Sequence, residues 1–329
     1  MTNQGKTIEE VRAPDSLDEL LVPKPYDPKA KIKVLVATPM KDFPSKEILA
    51  GLSKEEMAKL LPSQIGHALH ELSKRGLEAW PEEDAGKHPE KVKADESFRS
   101  QADKYEFEWM AVVGGICRAR NTAVGSMLKE GFDFIIWWDR DLFPDAPLTV
   151  AEVWLRLLSH KQPVVGGIYC KRDHTKRPTW AASWIAVAGL DADSENDGLL
   201  QVAELAGGAT CIHRKVFTEI GRLYRKDPKE PNGPGIDYRD RDTGERLFGF
   251  YQICVMDNDL LSEDYFFNFL CRCSRVAILA DTKLKLRHIE VVAGQSHIYP
   301  PDRFPPIPAE DPDFNKNVEV VDLVVKPKK

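Results

Sequence analysis

The stretch FDFIIWWDRDLFPDAPLTV, Phe132 to Val150, delivers two carboxylates two residues apart at the end of an apolar run. Six of the seven residues from Phe132 to Trp138 are apolar, and Asp139-Arg140-Asp141 follows directly. Such a run reads as a strand buried on both faces. In open parallel sheets, ligands bind beyond the carboxyl ends of the strands. Alternation puts Asp139 and Asp141 on one side of the chain and Arg140 on the other. Two hard oxygen donors at that spacing suit Mg2+ or Mn2+ carrying a nucleotide's phosphates. The competing reading is that the acids only cap a strand and solvate a loop, since Asp-x-Asp alone is a weak motif.

Strands and helices must alternate around this pair to hold it. KIKVLVATP, Lys31 to Pro39, reads as a buried strand stopped by Pro39. Residues 53–76 carry Leu60, Leu61, Ile65, Leu69 and Leu72 at helical steps, with Gly76 as a stop and Pro62 as a break that can start a second helix. Residues 81–103 are charged and read as a solvated loop or short helix. YEFEWMAVV alternates Tyr105, Phe107 and Trp109 as a half-buried strand does. ICRARNTAVGSMLKEG reads as a helix ending near Gly131, residues 147–160 as another helix, and PVVGGIYC as a strand. This alternation predicts an α/β fold with a mainly parallel sheet flanked by helices.

After about residue 178 the texture changes. PTWAASWIAVAGL and GLLQVAEL read as strands around an acidic turn, and GGATCIHRKVFTEIGRL as a glycine turn, a short strand and a helix. Residues 225–246 predict a loop or hairpin around Asp242-Thr243-Gly244. SEDYFFNFLCRCSR carries a helix start at Ser262, and VAILAD reads as a final strand. Trp180 and Trp184 suit a core or the wall of a sugar cleft. The expected organisation is an extended arm over residues 1–30, a domain over 31–298 with halves 31–170 and 171–298, and a Pro-rich tail over 299–329.

Composition bounds the function classes. The 329 residues are 42% hydrophobic and 30% charged, an ordinary folded balance with enough chain for a full core. The net charge of −6 gives no general electrostatic case for nucleic acid or acidic membranes, although a local basic patch remains compatible with it. No apolar run reaches the roughly 18 residues of a membrane span, and the N-terminus lacks a signal-peptide pattern. The six cysteines are scattered without a C-x-x-C pair, which argues against a disulfide framework or zinc site and for a reduced, cytoplasmic protein.

The order of segments resembles GT-A nucleotide-sugar glycosyltransferases, and most of all their compact bacteriophage and large-virus members. The resemblance rests on VLVATP, RARNTAV, FIIWWDRD and VVGGIYCKR in the first half, then on ELAGGATCIHRKVFTEIG, LLSEDYFFNFLCR and LRHIE. It spans roughly residues 31–298. Each motif is weak; their combined order is the specific feature.

The resemblance implies a GT-A fold and transfer of a sugar from a nucleotide-sugar donor, a UDP-sugar first, to an acceptor hydroxyl. It implies that Asp141 and His288 hold Mn2+ or Mg2+, and that Asp139 holds the metal or the ribose. Asp264 becomes the base that deprotonates the acceptor, with Glu263 in reserve. Arg120 and Asn121 fall near the donor, where an Arg fork can pair a phosphate. Thr38 and Pro39 would wall the nucleobase. Arg140, also on the donor side, departs from the pattern, since small or acidic residues are commoner between the two acids. Gly207 and Gly208 would let backbone approach the sugar or acceptor. Lys171 and Arg172 open KRDHTKRP, the strongest basic cluster, which suits acceptor or donor phosphates.

Plainer roles compete: a surface His288 beside Arg287 and Glu290, helix capping at Ser262 to Asp264, and a simple turn at Gly207-Gly208. Hydroxymethylated bases in viral DNA are one acceptor candidate, with KRDHTKRP, RKVFTEIGRLYRKDPK and KPKK as the surface tracking phosphates; glycans and protein hydroxyls are others. Two other classes compete for the whole chain. A nucleotidyltransferase can share paired acids, but TPMKDFPSKE after the first strand lacks glycine. A non-catalytic binding protein would keep the cleft without turnover.

Overall fold

A computed structural model describes residues 30–40, 63–77, 87–145, 147–171, 181–184, 198–224, 236–239, 244, 246–256, 259–292 and 295–299. The first half runs β1 (Ile32–Met40), α1 (Ser63–Lys74), α2 (Pro89–Ala102), β2 (Tyr105–Val113), α3 (Ile116–Glu130), β3 (Phe134–Trp138), β4 (Leu142–Pro144), α4 (Val150–Ser159) and β5 (Val164–Tyr169). Next come β6 (Ala182–Trp184), β7 (Leu199–Leu205), β8 (Ala209–His213), α5 (Arg214–Tyr224), β9 (Asp237–Arg239) and β10 (Arg246–Phe248). The chain continues through β11 (Cys254–Met256), β12 (Asp259–Leu261), α6 (Glu263–Cys273), β13 (Ile278–Val292) and β14 (Gln295–Tyr299).

The sheet explains the apolar strands. Its main path is β2-β1-β3-β8-β5-β13-β7-β6, with β4 and β14 pairing β13. β1 runs parallel to β2 and β3, and β13 runs parallel to β5. β8 lies antiparallel between β3 and β5, and β7 lies antiparallel to β13 and β6. Along the main path, all strands except β8 and β7 therefore point the same way, so the expected mixed, mostly parallel α/β sheet is what forms. The expected halves 31–170 and 171–298 share it, because β8 is inserted beside β3.

Helices cover both faces. Ile135 and Trp137 of β3 join Ala123 and Met127 of α3, Phe217 of α5 and Phe267 of α6 in one core. Phe134, Ile136 and Trp138 join Ile65 of α1, Phe98 of α2 and Trp154 of α4 in the other. All five residues of β3 are buried, which is why FIIWW is apolar without a break. Burying each of the two isoleucines contributes roughly 1.5–3 kcal/mol. Edge strand β2 instead keeps Tyr105, Phe107 and Trp109 half-buried, as alternation predicted.

Local signals set most boundaries. Gly131 ends α3 in a left-handed conformation at φ 78°. Thr149 starts α4 with a full capping box: its hydroxyl accepts from Glu152 N and the Glu152 carboxylate accepts from Thr149 N. Helix α1 begins one residue after Pro62; the rest of 53–62 lies outside the described residues. The arm, the tail, the 191–197 turn, Trp180 and the Asp242-Thr243 pair also lie outside them. The hairpin expected over 225–246 is present as antiparallel β9 and β10.

Of the two readings of residues 81–103 the helix holds: α2 is 14 residues long, and its charge follows from burying only Phe98 and Ala102. One expectation needs correction. The strand at VAILAD does not stop there: β13 runs 15 residues and carries LRHIE as well. No helix among the described residues is long and apolar enough to cross a membrane. All six cysteines are free, three of them buried, and burial pushes the Cys170 thiol up to about 12.

Candidate active site

β3 ends at Trp138, so Asp139 and Asp141 do not continue it. Leu142 N donates to Asp139 O at 3.1 Å and closes a tight turn. The alternation argument for this pair is therefore corrected: a turn, not an extended strand, displays both acids. Arg140 still faces outward; it is exposed, and its carbonyl accepts from Gln64 Nε2 at 2.6 Å. β4 then pairs with β13 so that Leu142 lies opposite His288, and Ile289 N donates to Asp141 O at 2.8 Å. This pairing brings His288 beside the acidic turn.

His288 is 7% exposed, which overturns the surface-histidine reading. Its Nδ1 lies 2.8 Å from the Cys170 carbonyl oxygen. A carbonyl only accepts, so Nδ1 carries a proton, and in a neutral ring the lone pair is then on Nε2. The same arrangement orients metal-ligating histidines. The ring packs edge-on against Tyr169, centroids 4.7 Å apart. No three His, Cys, Asp or Glu side chains are gathered into a metal cage among the described residues. A cation carried by a nucleotide needs no such cage, because one or two carboxylates plus phosphate oxygens and water suffice. The donor chemistry of Asp139, Asp141 and His288 fits that mode.

Beneath the turn sits one buried cation. Arg120 of α3 is 2% exposed, and its guanidinium lies 5.0 Å from the Trp137 ring centroid and 5.5 Å from that of Tyr251. Its polar contacts are long: Nη2 to Asp139 Oδ1 4.0 Å, Nε to Glu263 Oε1 3.4 Å, and Nη1 to Gly207 O 3.4 Å. Nε has no hydrogen-bond partner among the described residues. Negative charge outnumbers this cation. Burial pushes the Asp139 carboxyl up to about 6; Arg120 opposes the rise, and Asp141, Asp264 and Glu263 add to it. Burial likewise raises Glu263, again against Arg120 and with Asp264. The Asp139 side chain remains 28% exposed, so it is a wall of the site and not part of the core.

The next residue does different work. Asn121 is buried, its Nδ2 donating to Tyr251 O at 3.0 Å and its Oδ1 accepting from Tyr251 N at 3.0 Å. Asn121 thus clamps the 249–252 loop. Trp137 Nε1 donates to the Tyr251 hydroxyl at 2.8 Å, a partner that no spacing in the sequence marked.

Gly207 and Gly208 join the two sides of the site. Gly207 N donates to Asp264 Oδ2 at 3.1 Å, and Asp139 N donates to Gly208 O at 2.7 Å. Gly208 N donates to the Tyr169 hydroxyl at 2.8 Å. A Cβ on Gly207 would come within 2.6 Å of Arg120 Nη1, and one on Gly208 within 2.6 Å of Asp139 Oδ2. Crowding, more than a flexible approach to substrate, demands glycine here. Asp264 is also held by Tyr265 N at 2.9 Å and by the Ser262 hydroxyl. Ser262 occupies the N-cap of α6 but gives its hydroxyl to Asp264, so the expected side-chain cap does not form.

The remaining expected residues separate. Thr38 is fully buried and accepts from Trp109 Nε1 at 3.2 Å, which leaves Pro39 as the more accessible end of β1. Lys171 is exposed just past β5; Arg172 and the rest of KRDHTKRP lie outside the described residues. Arg214 and Lys215 start α5 beside the beginning of β3, since His213 pairs with Phe134 and Arg214 N donates to Asp133 O. They are a strand length from Asp139, so Arg214 and Lys215 do not border the acidic turn.

No family model matches the chain, and no curated protein matches it. Solved structures do. The A197 protein from STIV matches at 14% identity and a TM-score of 0.37, over 83% of this chain and 92% of that one. A UDP-glucose pyrophosphorylase matches at 12% and 0.36, over 79% and 93%. GalNAc-T7, solved with UDP, GalNAc and Mn2+, matches at 13% and 0.38, over 82% of this chain but 46% of that one. At such scores, what those proteins bind carries no argument about this chain.

Proposed function

We propose that this protein is a metal-dependent glycosyltransferase that moves a sugar from a nucleotide-sugar donor, a UDP-sugar, to an acceptor hydroxyl. One observation carries the reading: two consecutive glycines touch both Asp139, at the carboxyl end of a parallel strand, and Asp264, at a helix start. A donor on the acidic turn would therefore present its sugar to Asp264.

Asp141, with His288 or Asp139, would hold Mn2+ or Mg2+ together with the donor's own phosphate oxygens, and the ion would neutralise charge on the departing diphosphate. Two unit charges about 4 Å apart interact by roughly 4 kcal/mol at an effective dielectric of 20, so this support is large. Asp264 takes the proton of the acceptor hydroxyl as that oxygen attacks the anomeric carbon. The Gly207 amide, the Tyr265 amide and the Ser262 hydroxyl fix its orientation. Attack on the face opposite the leaving diphosphate inverts the anomeric configuration. Arg120 acts as the internal counter-ion that lets several carboxylates crowd together, and Glu263 is its closest partner. Pro39 would flank the base, and Lys171 the acceptor side.

The test is incubation of the full chain and Mn2+ with a panel of nucleotide sugars, against hydroxymethylated duplex DNA, a generic glycan and water, with products read by mass spectrometry. Sugar transfer to any acceptor, or donor hydrolysis to sugar and nucleoside diphosphate, is the expected result. Nucleotidyl transfer, or no turnover with any donor, would overturn the reading.

A further inference from the structure

The turn that displays Asp139 and Asp141 is pinned one peptide at a time. Each peptide unit is planar, so a bond to its carbonyl fixes how the whole unit is rotated. The Asp139 carbonyl accepts from Leu142 N at 3.1 Å, and the Asp141 carbonyl accepts from Ile289 N at 2.8 Å. The Arg140 carbonyl lies between them and accepts from Gln64 Nε2 at 2.6 Å. The first two bonds are backbone to backbone. The third comes from a side chain 76 residues away, at the start of α1. It holds the peptide between Arg140 and Asp141, and so sets the direction in which Asp141 leaves the chain relative to Asp139.

Gln64 is carried by a firm element. Its neighbour Ile65 is fully buried in the same core as Trp138 and Leu142, the residues on either side of the turn. The other half of the amide works against stability. Gln64 Oε1 is buried and accepts no hydrogen bond among the described residues. A buried acceptor left unpaired costs free energy, and an apolar side chain of similar length removes that cost. Arg140 is exposed, so water can take the place of the amide at its carbonyl. The bond from Gln64 therefore contributes position more than stability.

We propose that Gln64 is a positioning residue of the acidic turn: its bond to the Arg140 carbonyl holds Asp139 and Asp141 in the mutual geometry that takes a divalent cation with a nucleoside diphosphate. The assignment rests on the glycosyltransferase reading of that turn and adds the side chain that shapes it. Gln64 acts through the backbone of Arg140 and touches no ligand itself. Preorganisation of this kind reduces the ordering that binding must supply, so its loss shows in affinity and not in folding.

The experiment compares wild type with Gln64→Met and Gln64→Glu, each as the full chain, by calorimetric titration of UDP in Mn2+, by urea unfolding, and by hydrogen–deuterium exchange without metal or nucleotide. Gln64→Met keeps the length and loses the donor. Loss of one neutral hydrogen bond predicts roughly threefold to tenfold weaker UDP binding, with an unfolding midpoint equal to or above that of wild type. Gln64→Glu sets an acceptor against the Arg140 carbonyl and should weaken UDP at least as much. In both variants exchange should quicken at the Leu142 and Ile289 amides, which hold the neighbouring carbonyls, while amides within α1 keep their rates. Equal UDP binding by wild type and Gln64→Met would overturn the proposal. So would a lower midpoint with faster exchange throughout α1, which would make Gln64 a structural residue of that helix. Wild type that binds no UDP in Mn2+ would bring down the glycosyltransferase reading and the proposed ligand with it, whereas unchanged exchange at Leu142 and Ile289 would overturn the clamp by itself.

Discussion

Two arginine–carboxylate clusters lie against this sheet, and they are built on opposite terms. At Asp281 of β13, a fully buried carboxylate receives Arg156 through Nε at 2.7 Å and Nη2 at 3.2 Å, His160 Nε2 at 2.7 Å and the Lys283 amide at 3.0 Å. Donors saturate the acid. At Arg120 the ratio reverses: one cation faces Asp139 and Glu263 at 3.4–4.0 Å, and Asp264 and Asp141 add to the field. The first cluster is closed and ties α4 to β13. The second leaves acid in excess at the carboxyl end of β3, where the proposed cation would complete it. Saturated polar groups stabilise a fold, and an unsaturated, charge-crowded set is a candidate site.

Substitutions should separate the two along that line. Asp141→Ala should cut transfer by more than about a thousandfold, since transition-state charge stabilisation is usually the largest catalytic term. Its unfolding midpoint should stay near that of wild type. Loss of stability instead of activity would place the acid with the closed cluster. Asp264→Asn should lower kcat by roughly a hundredfold to ten-thousandfold while UDP binding persists, because the amide oxygen can still accept from Gly207. A change in donor affinity alone would remove it as the base.

At the closed cluster, Asp281→Ala should cost about 2–3 kcal/mol in urea unfolding, below the full penalty for a broken buried pair because Arg156 is a quarter exposed. Donor affinity in the folded protein should not move. The smallest effect is expected at Thr149→Ala, which removes a cap from α4 and should cost about 1 kcal/mol, with activity intact. Reduced turnover there would show that α4 transmits strain to the turn.

What could be read from the sequence depended on whether the cause was local. FIIWW announced β3 because a strand covered on both faces tolerates no polar residue, and Gly131 announced the end of α3 through its left-handed turn. The acids were legible as a pair, but not the turn that displays them, since the bond from Leu142 N to Asp139 O leaves no spacing mark. His288 reaches the site through the length of β13 and its pairing with Leu142, a long-range fact. The resemblance of its segment places Asn121 near the donor, and no spacing in the sequence marks its pairing with Tyr251, 130 residues away. Tyr169 and Tyr251 were missed, although Tyr169 had a usable signal: a polar-tipped ring closing an apolar strand at the sheet end that carries Asp139.

The central claim is that a metal and a nucleotide diphosphate meet at the Asp139–Asp141 turn. A crystal grown with Mn2+ and UDP, with the ion located by its anomalous signal, tests it most directly. The account predicts the ion and the nucleotide's diphosphate together at the Asp139–Asp141 turn. An ion or nucleotide lodged away from residues 139–141 would contradict it.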